Sequence, residues 1–197
     1  MLSSISALDQ VYRWCAAQPL HSITAGIYAR IAKDSHLTKI YKISDRHWRI
    51  VNEGHQRTFR IPADLGYPDI KRSKGVTGYK DEGEWRYIHT SGLPVTEIVL
   101  SQQAQRHLHL ISSTAEISFE AASPDEASFE AEDLRAIHVV LGGAPPESIC
   151  NITINGNLRK IPADAKGQIS IKLPTSVIAT VSTDDGDRDK KTQQASN

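Results

Sequence analysis

From Ser35 onward apolar side chains recur at every second position, and this period constrains the fold more than any other feature of the chain. Successive side chains of a strand point to opposite faces, so a period of two marks a ribbon with one buried face. Lys39–Ile43, Trp48–Val51 and Arg57–Ile61 read as strands, with Ser44-Asp45 and Asn52-Glu53-Gly54 as turn-like joints. Arg86–Thr90, Val95–Leu100, His107–Ser112, Glu116–Glu120, Ala127–Ala131 and Ala136–Leu141 extend the series. Ile149–Ile154 and Asn157–Ile161 flank Asn155-Gly156, a pair suited to a two-residue hairpin because both residues accept positive φ. Gln168–Leu173 and Val177–Val181 complete the set. So many short strands at regular spacing predict a mainly β fold, an antiparallel, jelly-roll-like β-sandwich over residues 37–182.

The beginning of the chain follows a helical period instead. Ser6 is placed to cap a helix with Asp9 three positions on, and Leu8, Val11, Tyr12 and Cys15 recur at helical spacing until Pro19. A short apolar stretch, Leu20 to Ile23, follows, and Thr24 can cap a second helix carrying Ile27, Tyr28 and Ile31. Residues 1–36 are therefore expected to form a helix–strand–helix appendage of α/β character. It is too small to bury both faces of a strand, so it must pack on the β module or on a larger neighbour. The tail, residues 183–197, lacks any apolar anchor and is expected to be disordered.

Bulk composition excludes several classes of function. With 39% apolar and 23% charged residues among 197, the chain can bury a real core. Its 23 basic and 23 acidic side chains cancel, whereas a nucleic-acid binder of this size would show a basic surplus. No apolar run approaches the length of about 18 residues that a membrane-spanning helix needs. The segment MLSSISALDQ has neither the basic start nor the apolar centre of a secretory signal. Cys15 and Cys150 are too few for a disulfide framework and lack metal-ligand spacing, so both read as small core residues.

Motifs of catalysis are missing as well. The chain has no Gly-x-Ser-x-Gly, no His-Glu-x-x-His and no phosphate-cradling glycine loop. Asp125 with Glu126, and Glu132 with Asp133, lie in acidic stretches that read as solvated loops rather than a shaped acid/base pocket. His107 and His109 would share one face of a strand, a spacing that can serve a metal. A catalytic zinc needs a third ligand, however, and the alternation with Leu108 and Leu110 predicts a half-buried strand with a wet histidine side. Asn151-Ile152-Thr153 fits a glycosylation sequon, but Ile152 and Ile154 read as strand core. No catalytic residue, metal site or cofactor is expected.

The aromatic residues point elsewhere. Trp48, Tyr67, Tyr79, Trp85 and Tyr87 fall within the first β half, interleaved with His47, His89, Arg57 and Arg60. Sugar rings present apolar C–H faces that pack on flat aromatic groups, and their hydroxyls need planar donors and acceptors. Trp48, Arg57, Arg60, Tyr79, Trp85, Tyr87 and His89 are accordingly the candidate carbohydrate-binding residues. The competing reading makes Trp48 and Tyr87 ordinary core aromatics, which strands favour. Arg57 and Arg60 lie three apart, so one is expected to pair with a buried carboxylate, Asp69 being the candidate, while the other reaches solvent or ligand. The stretch Arg57–Tyr79 reads as a structural corner stiffened by Pro62 and Pro68 and loosened by Gly75 and Gly78.

Three segments in order, "LDQVYRWCAAQPLHSITAGIYARI", "HWRIVNEGHQRTFRIPADLGYPDIKRSKGVTGY" and "RYIHT", resemble the C-terminal part of the large Pel exopolysaccharide deacetylase/hydrolase of biofilm-forming bacteria. The likeness covers roughly residues 7 to 181 and is densest from Arg57 to His89. It implies that Leu20–Ile31 corresponds to the last strand and helix of a deacetylase barrel, followed by an accessory β-sandwich. The metal ligands and acid/base pair of that family lie on barrel loops upstream of Leu8, so none carries over. The implied function is a non-catalytic accessory module that braces the barrel and binds partly deacetylated amino-sugar polymer. Its implied partners are that exopolysaccharide and the upstream deacetylase domain, in the periplasm as part of a larger secreted enzyme. The alternative is a module that docks an export or scaffold protein through a strand edge or the acidic stretches near Asp125 and Glu132.

Overall fold

The structure is a computed structural model that describes Ser6, Asp9, Gln10, Arg13, Trp14 and residues 25–133 and 135–183, Ala122 by its backbone alone. It is mainly β, as the alternation predicts, with 55% strand and 13% helix. Ser6, Asp9, Gln10, Arg13 and Trp14 are helical, and Arg13 pairs with Asp9 one turn away at 2.7 Å. The expected strand at Leu20–Ile23 and the tail beyond Thr183 lie outside the described residues.

Helix α1 (Ala25–Leu37) leads into the strands through Thr38, whose N–H and hydroxyl both donate to the carbonyl of Asp34 at 2.8 Å. The strands are β1 (Lys39–Ser44), β2 (His47–Val51), β3 (Thr58–Pro62), β4 (Tyr67–Pro68), β5 (Val76–Glu82), β6 (Trp85–Thr90), β7 (Val95–Ser101) and β8 (His109–Ser113). They continue as β9 (Glu116–Ser123), β10 (Glu126–Glu132), β11 (Ile137–Gly142), β12 (Ile149–Ile154), β13 (Asn157–Pro162), β14 (Ile169–Leu173) and β15 (Ser176–Thr183). The β12–β13 hairpin closes through Asn155 at φ 47° and Gly156 at φ 81°, the positive pair that this turn requires.

These strands form three sheets. Four run in the order β1-β2-β7-β4, five in the order β13-β12-β15-β10-β9, and six in the order β14-β11-β8-β5-β6-β3. The six-stranded sheet is shared by two sandwiches. Its β5-β6-β3 half packs on the four-stranded sheet around Ile50, Val76, Ile88, Ile98 and Leu100. Its β14-β11-β8 half packs on the five-stranded sheet around a larger core that includes Leu110, Phe129, Val139, Ile152, Ile171 and Val181.

Register shows that the two covers lie on opposite faces. Gly78 is paired with His89 on one side and with Leu110 on the other. Paired residues point the same way, so Leu110, in the larger core, shares a face with His89. Ile88, next to His89, points the other way into the smaller core. The six-stranded sheet thus passes from one cover to the other, changing covered face at the parallel β5–β8 contact. At that crossing each face has a stretch that neither cover reaches.

Val76–Glu82 is where the sequence reading departs from the fold. It was expected to end a structural corner, yet it forms β5, paired with β6 and β8. Glu126 and Glu132, read as parts of acidic loops, instead bound β10. His107 and His109 are buried, at 8% and 6% exposure, rather than wet. The strand starts only at His109, and each Nδ1 faces a backbone carbonyl, that of Leu108 at 3.1 Å and of His107 at 2.7 Å. Intramolecular hydrogen bonding replaces the water that alternation had assigned to them.

Candidate functional site

Strand β6 alternates cleanly. Arg86, Ile88 and Thr90 are buried, while Trp85, Tyr87 and His89 are half-buried on the opposite face. Register adds neighbours to that second face: Thr58 beside His89, Arg60 beside Tyr87, and Lys80 on the far side of Tyr87. Arg60, Trp85, Tyr87 and His89 therefore form one contiguous surface across β3 and β6. The Arg60 guanidinium lies 4.1 Å from the centroid of the Trp85 ring, within the range of a cation–π contact. This places a charged hydrogen-bond donor over an aromatic ring.

The face runs into a cleft of about 660 Å³. Its floor is the sheet at Thr58, Thr77 and His89; one wall is α1 at Ile27, Arg30 and Ile31, and the other is the β8–β9 edge at Ala115 and Glu116. Arg57 lines it and pairs with Glu116 at 2.8 Å, not with Asp69 as expected. Asp69 is buried, and its carboxylate accepts the Arg72 N–H at 3.1 Å and the Gln105 amide at 3.0 Å. The physical reason is local: Asp69 closes its own turn, leaving Arg57 to reach across to β9.

His89 is fixed between two partners, with Nε2 2.9 Å from the Ile111 carbonyl and Nδ1 3.4 Å from the Thr58 hydroxyl. Burial holds its pKa below the ordinary histidine value against the pull of the Ile111 carbonyl, so the ring stays neutral near pH 7. It brings a neutral ring, held at both nitrogens, to the floor of the cleft.

Two of the seven candidates sit elsewhere. Trp48 has the same strand parity as Ile50 and packs against the smaller core, which is the ordinary fate of a strand aromatic. Tyr79 is paired with Ile88 and therefore faces away from Tyr87. It instead joins a buried cluster that the sequence reading missed. Arg86, 2% exposed, donates Nε and Nη2 to Asp81 at 2.6 and 2.8 Å, and its Nη1 to the carbonyls of Ala63 and Gly66. Its guanidinium stacks 3.8 Å from the Tyr67 centroid, and Tyr67 meets Tyr79 edge-on at 6.0 Å. The Tyr79 ring then lies parallel to His109 at 4.5 Å. Burial pushes the Tyr79 hydroxyl up to about 12, so it remains a neutral donor across the physiological range.

In the acidic stretches considered for protein docking, two aspartates have partners within the chain. Asp125 pairs with Arg106 at 3.1 Å and accepts the Thr183 hydroxyl at 3.0 Å, while Asp133 accepts the Arg135 N–H at 3.0 Å. Among the described residues, no helix is long and apolar enough to cross a membrane, and no three His, Cys, Asp or Glu side chains converge as metal ligands would. In comparisons with known proteins, no family model matches this chain, and neither does any curated protein or solved structure.

Proposed function

We propose that this chain is a non-catalytic accessory module of an exopolysaccharide-modifying enzyme, holding amino-sugar polymer across the Arg60–Trp85–Tyr87–His89 face and bracing the catalytic domain that precedes it. The observation that carries the reading is the Arg60 guanidinium laid over Trp85 at 4.1 Å beside half-exposed Tyr87. A sugar ring packs its C–H face on the exposed aromatic surface, while Arg60 and Thr58 meet hydroxyl and amide oxygens. The adjoining cleft of about 660 Å³ gives a polymer room to continue past the strand edge.

The bracing half draws on the N-terminal side of the module. Tyr28 on α1 and Ile40, Tyr41 and Ile43 on β1 are large apolar side chains at least 48% exposed. Large apolar side chains left exposed suit an interaction with another domain, and the reading makes the preceding domain their partner. Resemblance to the Pel deacetylase/hydrolase family supplies the polymer and the periplasmic setting.

Titration with partly deacetylated galactosaminoglycan oligomers, followed by Trp fluorescence and calorimetry, tests the binding half. Binding in the range of about 0.1–1 mM is expected, weakening about tenfold in Trp85→Ala. Heat and fluorescence that stay flat up to about 10 mM oligomer would remove the polymer from the reading.

A further inference from the structure

The opposite face of the six-stranded sheet also opens at the cover change, and this second cleft holds about 650 Å³. That volume lies within the range of about 300–1,000 Å³ typical of small-molecule sites. Tyr79, Asp81, Gln105, His109, Gly142 and Gln168 are among the residues that line it. None of these six belongs to the Arg60–Trp85 face, and Lys80 and Ile111 line both clefts.

His109 is the unusual member. The ring is 94% withdrawn from solvent by its 6% exposure, held flat against Tyr79 with 5° between planes. Its Nδ1 lies 2.7 Å from the His107 carbonyl, which can only accept, so Nδ1 carries the hydrogen. Nε2 is then an acceptor. An acceptor at the wall of a cleft can take its hydrogen from whatever occupies that cleft. Burial keeps the ring in this neutral form by holding its pKa below the ordinary histidine value, against the His107 carbonyl that favours the charged form.

Gly142 keeps that acceptor accessible. It is paired with His109 across the β8–β11 ladder, so both point into the cleft. Gly142 is not among the positive-φ glycines, so backbone conformation does not call for glycine there. A Cβ at this position would lie 2.9 Å from both Nε2 and Cε1 of His109. The missing side chain leaves the Nε2 edge uncovered toward the cleft.

The remaining lining sets the chemistry of what fits. Asp81 spends one lone pair of each oxygen on Arg86 and remains 47% exposed, so it can accept further hydrogens. Gln168 and Gln105 offer amide groups that both donate and accept, and Lys80, Arg106 and Lys166 add basic side chains to the lining. Acceptors at His109 and Asp81, mixed amides and basic donors suit a molecule dense in hydroxyls.

We propose that this cleft is a binding site for a hydroxyl-rich ligand of one or two pyranose rings, one hydroxyl of which donates to His109 Nε2 while a second donates to Asp81. The proposal does not depend on the polymer reading of the other face.

Side-chain ¹⁵N NMR of the full chain tests it directly, because Nε2 moves upfield when it accepts a hydrogen bond. The probes are methyl α-D-galactopyranoside, methyl β-D-glucopyranoside and lactose, each raised to about 50 mM, enough to fill a millimolar site. At least one probe is expected to shift the His109 Nε2 resonance saturably and leave Nδ1 nearly still. Gly142→Ala, its fold checked by the amide spectrum, is expected to weaken that probe at least about tenfold, whereas Trp85→Ala leaves it unchanged. No movement of Nε2 with any probe overturns the proposal, whatever the variant does. Saturable binding that Gly142→Ala leaves intact overturns it too, since the ligand would then sit away from His109.

Discussion

Arg86 grips Asp81 through two parallel hydrogen bonds, of 2.6 and 2.8 Å, from a position 2% exposed to solvent. The pair spans the β5–β6 hairpin, where the two residues are directly opposed. Bidentate geometry, two backbone carbonyl acceptors and the Tyr67 ring together replace the water lost by the guanidinium.

Removing the carboxylate leaves that buried cation under-satisfied. Asp81→Ala is expected to destabilise the fold by about 2–4 kcal/mol, at the low side for a buried pair because Asp81 itself is half exposed. Arg86→Met, which removes charge and donors while keeping volume, is expected to cost less than Asp81→Ala. Urea unfolding with an unchanged m-value checks both the sign and the ordering.

A second buried charge ties α1 to the sandwich. The Asp34 carboxylate is fully withdrawn from solvent and accepts three backbone N–H groups, from Glu53 at 2.6 Å, His55 at 2.7 Å and Gln56 at 2.8 Å. Burial alone would raise its pKa, but the three hydrogen bonds and the nearby His55 outweigh it and hold the group below its ordinary 3.8. A depressed folded pKa means stability that is fully present above 3.8 and is lost as pH falls through the folded value. Asp34→Ala is expected to cost about 2–3 kcal/mol at pH 7, a gap to the wild type that narrows below about pH 4. In the wild type, the amide proton shifts of Glu53, His55 and Gln56 should titrate together at that depressed value. Independent titration of the three would show that they do not share one carboxylate.

Several of these features were readable in advance, and the physics explains which. The strands that bury one face, such as Trp85–Thr90 and Ile149–Ile154, carry the alternation that named them, and Asn155-Gly156 closes its hairpin as its φ preferences require. Trp48 was open to two readings, sugar contact or ordinary core, and its parity with Ile50 goes with the core packing it makes. Val76–Glu82 was invisible as a strand: it carries a glycine, three charges near its end and no period of two, since it lies between two strands where the cover changes. Arg86 escaped because an arginine on the buried side of a strand looks like a solvated one until its partner is known. The Tyr79–His109 stack joins residues 30 positions apart across a single parallel bridge, and local sequence holds no trace of that.

That bridge rests on a single glycine, Gly78. Gly78 is paired with Leu110 as the one registered pair between β5 and β8, the contact through which the six-stranded sheet continues from one sandwich to the other. A Cβ on Gly78 would fall closer than 3.0 Å to the backbone of Leu110, a separation that real side chains do not show. Its φ is ordinary, so the demand is for space rather than for a left-handed conformation. The obstacle is backbone and cannot rotate aside, so Gly78→Ala must push β8 away from β5. Because each half keeps its own core, the expected result is loss of coupling more than loss of structure. Guanidinium unfolding of Gly78→Ala, in a Trp14→Phe background, should show one transition by Trp48 and Trp85 fluorescence. A second, displaced one should appear only in far-UV circular dichroism, which follows the backbone of both halves. The wild type should give one transition by both probes. Coincident curves in Gly78→Ala, with stability within about 1 kcal/mol of the wild type, would show that the two sandwiches are joined by something other than this contact.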